Sequence, residues 1–135
     1  MSSRLKVLVA DDHPDSLDLL SELLTVYDVE LRAARTGLEA IGIGLKWEPD
    51  ILITDIAMPH ADGRHLAGRL KVSLPALVAI AVSGTPLNTD FESSQDLIFD
   101  EYFVKPIDFN RLHTTLTRLG VKLMGASSAP APLGS

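Results

Sequence analysis

The sequence predicts an α/β fold built on a parallel sheet, and three observations carry that expectation. Short strand-like apolar runs alternate with stretches at helical spacing along the whole chain, giving five strands and five helices. Its 135 residues suit one domain around a single core. Four of the runs also end in polar residues of one chemical kind. Leu5–Ala10 meets Asp11-Asp12, Ile51–Thr54 meets Asp55, Leu77–Val82 meets Ser83, and Tyr102–Val104 meets Lys105. In a parallel sheet those five side chains gather at the carboxyl ends of the strands, where open α/β sheets bind ligands.

Leu5–Ala10 is apolar enough for a central strand, with Lys6 near its exposed start. Pro14 suits the first turn of a helix, where its missing N–H costs nothing, and Leu17, Leu20, Leu23, Leu24 and Tyr27 follow at helical spacing. Val29, Leu31 and Ala33 alternate with Glu30 and Arg32, the pattern of a half-exposed edge strand. Thr36-Gly37-Leu38-Glu39 reads as a capping box opening a helix that carries Leu38, Ile41 and Leu45, weakened by Gly42 and Gly44. Trp47-Glu48-Pro49-Asp50 ends it ahead of Ile51–Asp55, and Trp47 is expected to pack at the surface beside Pro49. Gly63 lies near the start of a third helix running through Leu66 and Leu70 to about Val72. Leu77–Val82 reads as a buried strand. The stretch Gly84–Asp100 is rich in weak helix formers, so one short helix is expected there. Tyr102–Val104 is a short strand, and Asp108 caps a last helix whose Phe109, Leu112, Leu116 and Leu119 face the core.

Composition narrows the function classes. The hydrophobic fraction is 46% and the charged fraction 22%, ordinary for a globular protein. No apolar run approaches the ~18–20 residues of a membrane span, and the N-terminus lacks the plan of a signal peptide, so a cytoplasmic protein with no membrane partner is expected. The absence of cysteine excludes disulfides, thiolate metal sites and Cys nucleophiles. The net charge of −6 comes with no basic cluster in the sequence, and Val72–Val104 contains neither Lys nor Arg. Direct nucleic-acid binding needs a basic face and is not expected.

Asp11, Asp12 and Asp55 brought to one edge would repel one another unless a hard cation joined them, and an oxygen-only site with room for water suits Mg²⁺. Lys105 adds a point positive charge and Ser83 a hydroxyl donor for phosphoryl oxygens. Phosphoryl transfer consists mostly of positioning and charge neutralisation, for which these are the parts, and a carboxylate can itself be the nucleophile. Taken singly each residue has a plainer reading: Asp11-Asp12 as a helix-capping pair, Asp55 as a strand-end cap, Ser83 as a turn residue, Lys105 as an exposed charge. Their joint placement favours the chemical reading.

These motifs, Val9-Ala10-Asp11-Asp12, Asp55-Ile56-Ala57-Met58-Pro59 with Gly63 beyond, Ser83-Gly84, and Tyr102-Phe103-Val104-Lys105-Pro106, resemble those of the receiver domain of two-component response regulators. The resemblance runs from about Leu5 to Leu119. It implies a CheY-like, flavodoxin-like sheet in strand order 2-1-3-4-5 flanked by five helices, with a receiver domain over 4–120 and a tail or linker over 121–135. It implies Asp55 as phosphoacceptor, supplied by a phosphohistidine on a histidine kinase or histidine phosphotransfer protein. Mg²⁺ would be held by Asp12, Asp55 and the backbone carbonyl of Ala57, with Asp11 acting through water. Lys105 would pair with the phosphoryl group, Lys105-Pro106 would be a cis peptide, and Ser83 with Tyr102 would form a switch pair, while Tyr102 as a plain core aromatic fits equally. The moving element would be the loop after the fourth strand with the face of the last strand and the helices beside it.

Departures from the family pattern are visible too. Leu97-Ile98-Phe99 stands where many relatives have a small Gly-Ala pair, and no basic residue stands on the helix after the fourth strand, which counts against a dimer built on charge pairs there. His13, His60, His65 and His113 show no ligand spacing; His13 and His60 flank the crevice as exposed loop residues. The sequence therefore points to a phosphorylation-dependent switch that is not a turnover enzyme, acting on a downstream protein it does not identify. An Asp-nucleophile Mg²⁺ phosphatase is the enzyme alternative, and Ala57 stands where its second acid would be. A receiver-like interaction module that takes no phosphate is the third.

Overall fold

The computed structural model describes residues 4–56, 58, 63–84 and 98–123. Five parallel strands, β1 (Leu5–Ala10), β2 (Val29–Ala34), β3 (Ile51–Asp55), β4 (Val78–Ser83) and β5 (Glu101–Val104), form one sheet in the order β2-β1-β3-β4-β5. Among the described residues four helices flank it: α1 (Pro14–Leu24), α2 (Gly37–Trp47), α3 (Gly63–Ser73) and α4 (Phe109–Arg118). The further helix expected between Gly84 and Asp100 falls on 85–97, outside the described residues, as do 124–135 of the expected tail.

Alternation along the strands divides the core in two, because successive side chains point to opposite faces. Val7, Val9, Ile51, Ile53, Ile80, Val82 and Phe103 meet Leu17, Leu20 and Leu24 of α1 and Leu112 and Leu116 of α4. On the other face Leu8, Ala10, Leu52, Ala79 and Ala81 meet Ala40 and Ile41 of α2 and Leu66, Ala67 and Leu70 of α3. Strands covered on both faces are apolar throughout, which is why β1, β3 and β4 were legible as runs rather than alternations.

Register sets the strand ends level. Ala10 lies opposite both Ala34 and Thr54, Asp55 opposite Val82, and Ser83 opposite Val104. The helix starts follow the sequence chemistry. Pro14 opens α1; the Thr36 hydroxyl accepts from the Glu39 N–H, and Glu39 reaches back to the Arg35 N–H. The Asp108 carboxylate accepts from the N–H groups of Asn110 and Arg111. Two glycines answer close approaches. A Cβ on Gly44 would stand 2.7 Å from the Leu70 side chain, and one on Gly63 would stand 2.5 Å from the Asp55 carbonyl oxygen. Gly63 thus lets α3 begin directly against the end of β3, where its N–H donates to the Ile56 carbonyl.

Some expectations are corrected. Leu38 and Phe109 are 66% and 55% exposed rather than core. The buried stripe of α2 is centred on Gly37, Ala40, Ile41 and Gly44, so Leu38 sits at its margin; Phe109 stands in the first turn of α4, beside an open cleft. On β2, Ala34 is buried and Ala33 exposed. Val121 is buried and Leu123 bridges Tyr27, so the chain still lies on the fold three residues past position 120. Because the Gly63 contact is with backbone that has little room to move, Gly63→Ala should lower unfolding stability by about 1–3 kcal/mol, measured as a fall in the urea midpoint with unchanged slope.

Candidate functional site

Asp11 and Asp12 follow β1, Asp55 ends β3, Ser83 ends β4 and Lys105 follows β5. The level strand ends bring all five to one crevice. Asp11, Asp55 and Ser83 are buried, and Asp12 is half-buried. Three backbone bonds carry the pairing past the last strand residues and fix the crevice: Asp11 N–H to the Ala34 carbonyl at 3.1 Å, Ile56 N–H to Val82 at 3.1 Å, and Lys105 N–H to Ser83 at 2.8 Å.

Lys105 Nζ lies 3.2 Å from Asp11 Oδ2, 3.4 Å from Asp55 Oδ2 and 3.4 Å from the Ser16 hydroxyl. Burial pushes the lysine towards its neutral form, but the hydrogen bond to Asp11 and the charges of Asp55 and Asp11 outweigh it, so the ammonium is held above its ordinary range. One ammonium against three carboxylates leaves the crevice anionic. One oxygen each from Asp11, Asp12 and Asp55, with a ring nitrogen of His13, all lie within 4.8 Å of one another. Three clustered carboxylates, two of them buried, match the hard oxygen donors that Mg²⁺ requires, so the residues present fit that ion.

The plainer reading of Asp11-Asp12 as a helix cap does not hold. No side chain caps α1, and the Asp11 carboxylate instead accepts from the His13 N–H at 2.9 Å and faces Lys105. The structure adds two residues that spacing alone did not assign. His13 is exposed as expected, yet its Nδ1 lies 3.2 Å from Asp12 Oδ1 and 3.9 Å from Asp55 Oδ2. Ser16, on the first turn of α1, reaches Lys105, and no spacing in the sequence signals it. His65 and His113 lie elsewhere. His113 Nδ1 is 2.8 Å from the Tyr27 hydroxyl, joining α4 to the connection between α1 and β2.

Tyr102 is half-buried, its ring edge-on to Phe99 with centroids 5.5 Å apart. The Lys105-Pro106 peptide is cis. Ala57, Pro59 and His60 lie outside the described residues, and with them the expected carbonyl ligand. Beside the crevice, α1 and the segment from Lys105 into α4 enclose an apolar cleft of about 620 Å³, whose walls include Leu19, Leu23, Ile107 and Phe109.

A family model for the response regulator receiver domain matches residues 7–117, and the chain belongs to that family. The chain is 33% identical over 109 residues to an uncharacterized 14.6 kDa protein of Leptolyngbya boryana, covering 78% of this chain and 82% of that one. It is 29% identical over 111 residues to the sensor histidine kinase RcsC of Escherichia coli, covering 82% of this chain but only 12% of the kinase. Among solved structures, the response regulator TrrA of Thermotoga maritima, in complex with Mg²⁺-BeF, superposes with a TM-score of 0.75 at 28% identity, covering 85% of this chain and 98% of TrrA. The protein is thus a phosphorylation-dependent signalling switch of the two-component type. Among the described residues no helix is long and apolar enough to cross a membrane.

The raised Lys105 titration has a signed consequence. Its contribution to stability is full below the unfolded lysine value of about 10.5 and is lost as pH rises through the higher folded value. In metal-free protein the stability difference between wild type and Lys105→Met should therefore hold constant from neutral pH to about 9.5 and shift against the wild type above 10.5, read by urea unfolding at each pH.

Proposed function

We propose that Asp55 accepts a phosphoryl group from a phosphohistidine on a histidine kinase or phosphotransfer protein, with Mg²⁺ bound beside it, and that the acyl phosphate shifts the β4–β5 end of the sheet. The observation that carries this is the Asp55 carboxylate, buried at the end of β3 with the Lys105 ammonium 3.4 Å from Oδ2. An Asp55 oxygen attacks phosphorus, the phosphorus–nitrogen bond breaks, and the donor imidazole leaves with the bonding pair and takes up a proton. Lys105 neutralises charge on the phosphoryl oxygens, where charge develops during transfer. Asp11, Asp12 and Asp55 would hold Mg²⁺, which supplies neutralisation of that same charge when bound. Return is by water attack on phosphorus, breaking the bond to Asp55.

Ser83, one residue beyond the Val82 that lies opposite Asp55 on the next strand, donates its hydroxyl to the new phosphoryl group. That movement vacates space at the end of β4, towards which the half-buried Tyr102 ring turns. The protein is then a switch and not a turnover enzyme; Ala57, two residues after Asp55, has no proton to give a leaving group, which disfavours the phosphatase alternative. The apolar cleft between α1 and α4 suits the donor protein, since a phosphohistidine presented to Asp55 must arrive on a surface lying against this opening. We place this exchange in the cytoplasm.

Asp55→Asn should abolish incorporation of label from acetyl phosphate in the presence of Mg²⁺, and unchanged labelling of that variant overturns the assignment. A Leu19→Ala, Phe109→Ala double variant should slow transfer from a phosphorylated protein donor at least about tenfold, the scale of losing two apolar anchors, while labelling by acetyl phosphate stays as in wild type.

A further inference from the structure

The second hollow of the fold lies away from the crevice, where α2 meets the edge strand β2, and its volume is about 490 Å³. Gly42, Ile43 and Trp47 line it, with Arg32, Lys46 and Glu39 at the rim. A glycine inside a helix costs about 1 kcal/mol against alanine, and packing does not explain this one. A Cβ on Gly42 would meet nothing within 4 Å, in contrast to Gly44 two residues on. The missing side chain therefore keeps open a depression next to the chain's single tryptophan.

Cations surround that depression, although the sequence shows no basic cluster. The Arg32 guanidinium lies 4.9 Å from the centre of the Trp47 ring and Lys6 Nζ 5.8 Å. Lys6 is committed to the Trp47 carbonyl at the end of α2, at 3.0 Å. Arg32 and Lys46 are exposed, and their charged groups have no carboxylate partner among the described residues. Glu39 is committed to the Arg35 N–H, while Glu30 lies on the same face of β2 two residues before Arg32. β2 is an outer strand of the sheet, pairing only with β1 among the described residues. An outer strand offers backbone donors and acceptors to an added chain.

We propose that this edge docks an acidic, extended segment of a partner protein. The segment lies along β2, places carboxylates on Arg32 and Lys46, and drops an aromatic or branched side chain into the hollow over Gly42. Guanidinium and ammonium groups left without carboxylates in a chain of net charge −6 supply the complementarity that selects an acidic partner over a basic one.

Trp47 emission reports the site directly, since it is the only tryptophan. Titration of the full chain with a short acetylated peptide alternating glutamate with valine and phenylalanine should change that emission saturably, and more weakly as salt rises. Arg32→Ala with Lys46→Ala should weaken the response at least about tenfold, as for losing charge-assisted contacts. Gly42→Leu, which fills the hollow with a better helix former, should do the same. Acetyl phosphate labelling at Asp55 should be unchanged in all of these variants and shows them folded. No saturable change, an equal response to the lysine-for-glutamate peptide, or undiminished binding by folded Gly42→Leu overturns the proposal, and each leaves the role of Asp55 standing.

Discussion

The crevice rests on a repulsion that the fold contains. Three carboxylates at the ends of two adjacent strands oppose one another in a partly dehydrated setting, where charges interact more strongly than in water. A single ammonium from a third strand end answers them. Lys105 bonds Asp11 and Asp55 together, while Asp12 is left with the exposed His13 ring as its near neighbour. The remaining negative charge suits the site to a cation, in keeping with the proposed Mg²⁺ and phosphoryl chemistry. A phosphoryl group entering the same space would add negative charge there, so phosphorylation would change what the neighbouring polar groups are drawn towards.

That charge arrangement depends on apolar register rather than on local polar contacts. Asp55 lies beside Asp11 because Ile53 pairs with Val9 and Thr54 with Ala10. A slip of one residue would carry every side chain of a strand to the opposite face. It would put Ile53 and Ile51 against α3 and Leu52 against α1, in cores shaped otherwise. Small residues reinforce this register: Ala79 and Ala81 face α2 and α3, while Ile80 and Val82 face α1 and α4. Gly63 then lets α3 close against the Asp55 carbonyl, so β3 is tied down at the residue proposed to accept phosphate.

The sequence reading succeeded where one physical effect dominated. Buried strands read as apolar runs, caps read as Thr36 and Asp108, and the crevice read as polar residues placed after those runs. It failed where position along an element outweighed periodicity. Leu38 and Phe109 carry apolar side chains in the first turns of α2 and α4, at the margin of a buried stripe or beside an open cleft. His13 was read as an exposed loop residue, and it is exposed, but no periodicity announces that a chain turning into α1 brings its ring over the carboxylates. Clusters assembled from separate elements are the hardest to see. Lys6, Arg32 and Trp47 lie on two strands and a helix, far apart in sequence, and the pairing of β2 with β1 under α2 brings both cations to the one indole.

The two sites occupy opposite parts of the same sheet, and this bears on how the switch could be read or fed. The crevice gathers at the carboxyl ends of the strands, whereas Trp47 ends α2 over the amino end of β1, where Lys6 starts. Five residue steps separate Lys6 from Asp11, roughly 16 Å at about 3.3 Å per residue. A segment lying on β2 therefore leaves the crevice and the α1–α4 cleft open to a phosphodonor. It touches neither Ser83 nor Tyr102, which sit three and four strands away across the sheet. Such a contact would hold the receiver to a partner in both phosphorylation states and leave the state itself to be read on β4 and β5. Placing attachment on β2, and change on β4 and β5, would keep binding energy from biasing the switch: a ligand with equal affinity for both states shifts neither.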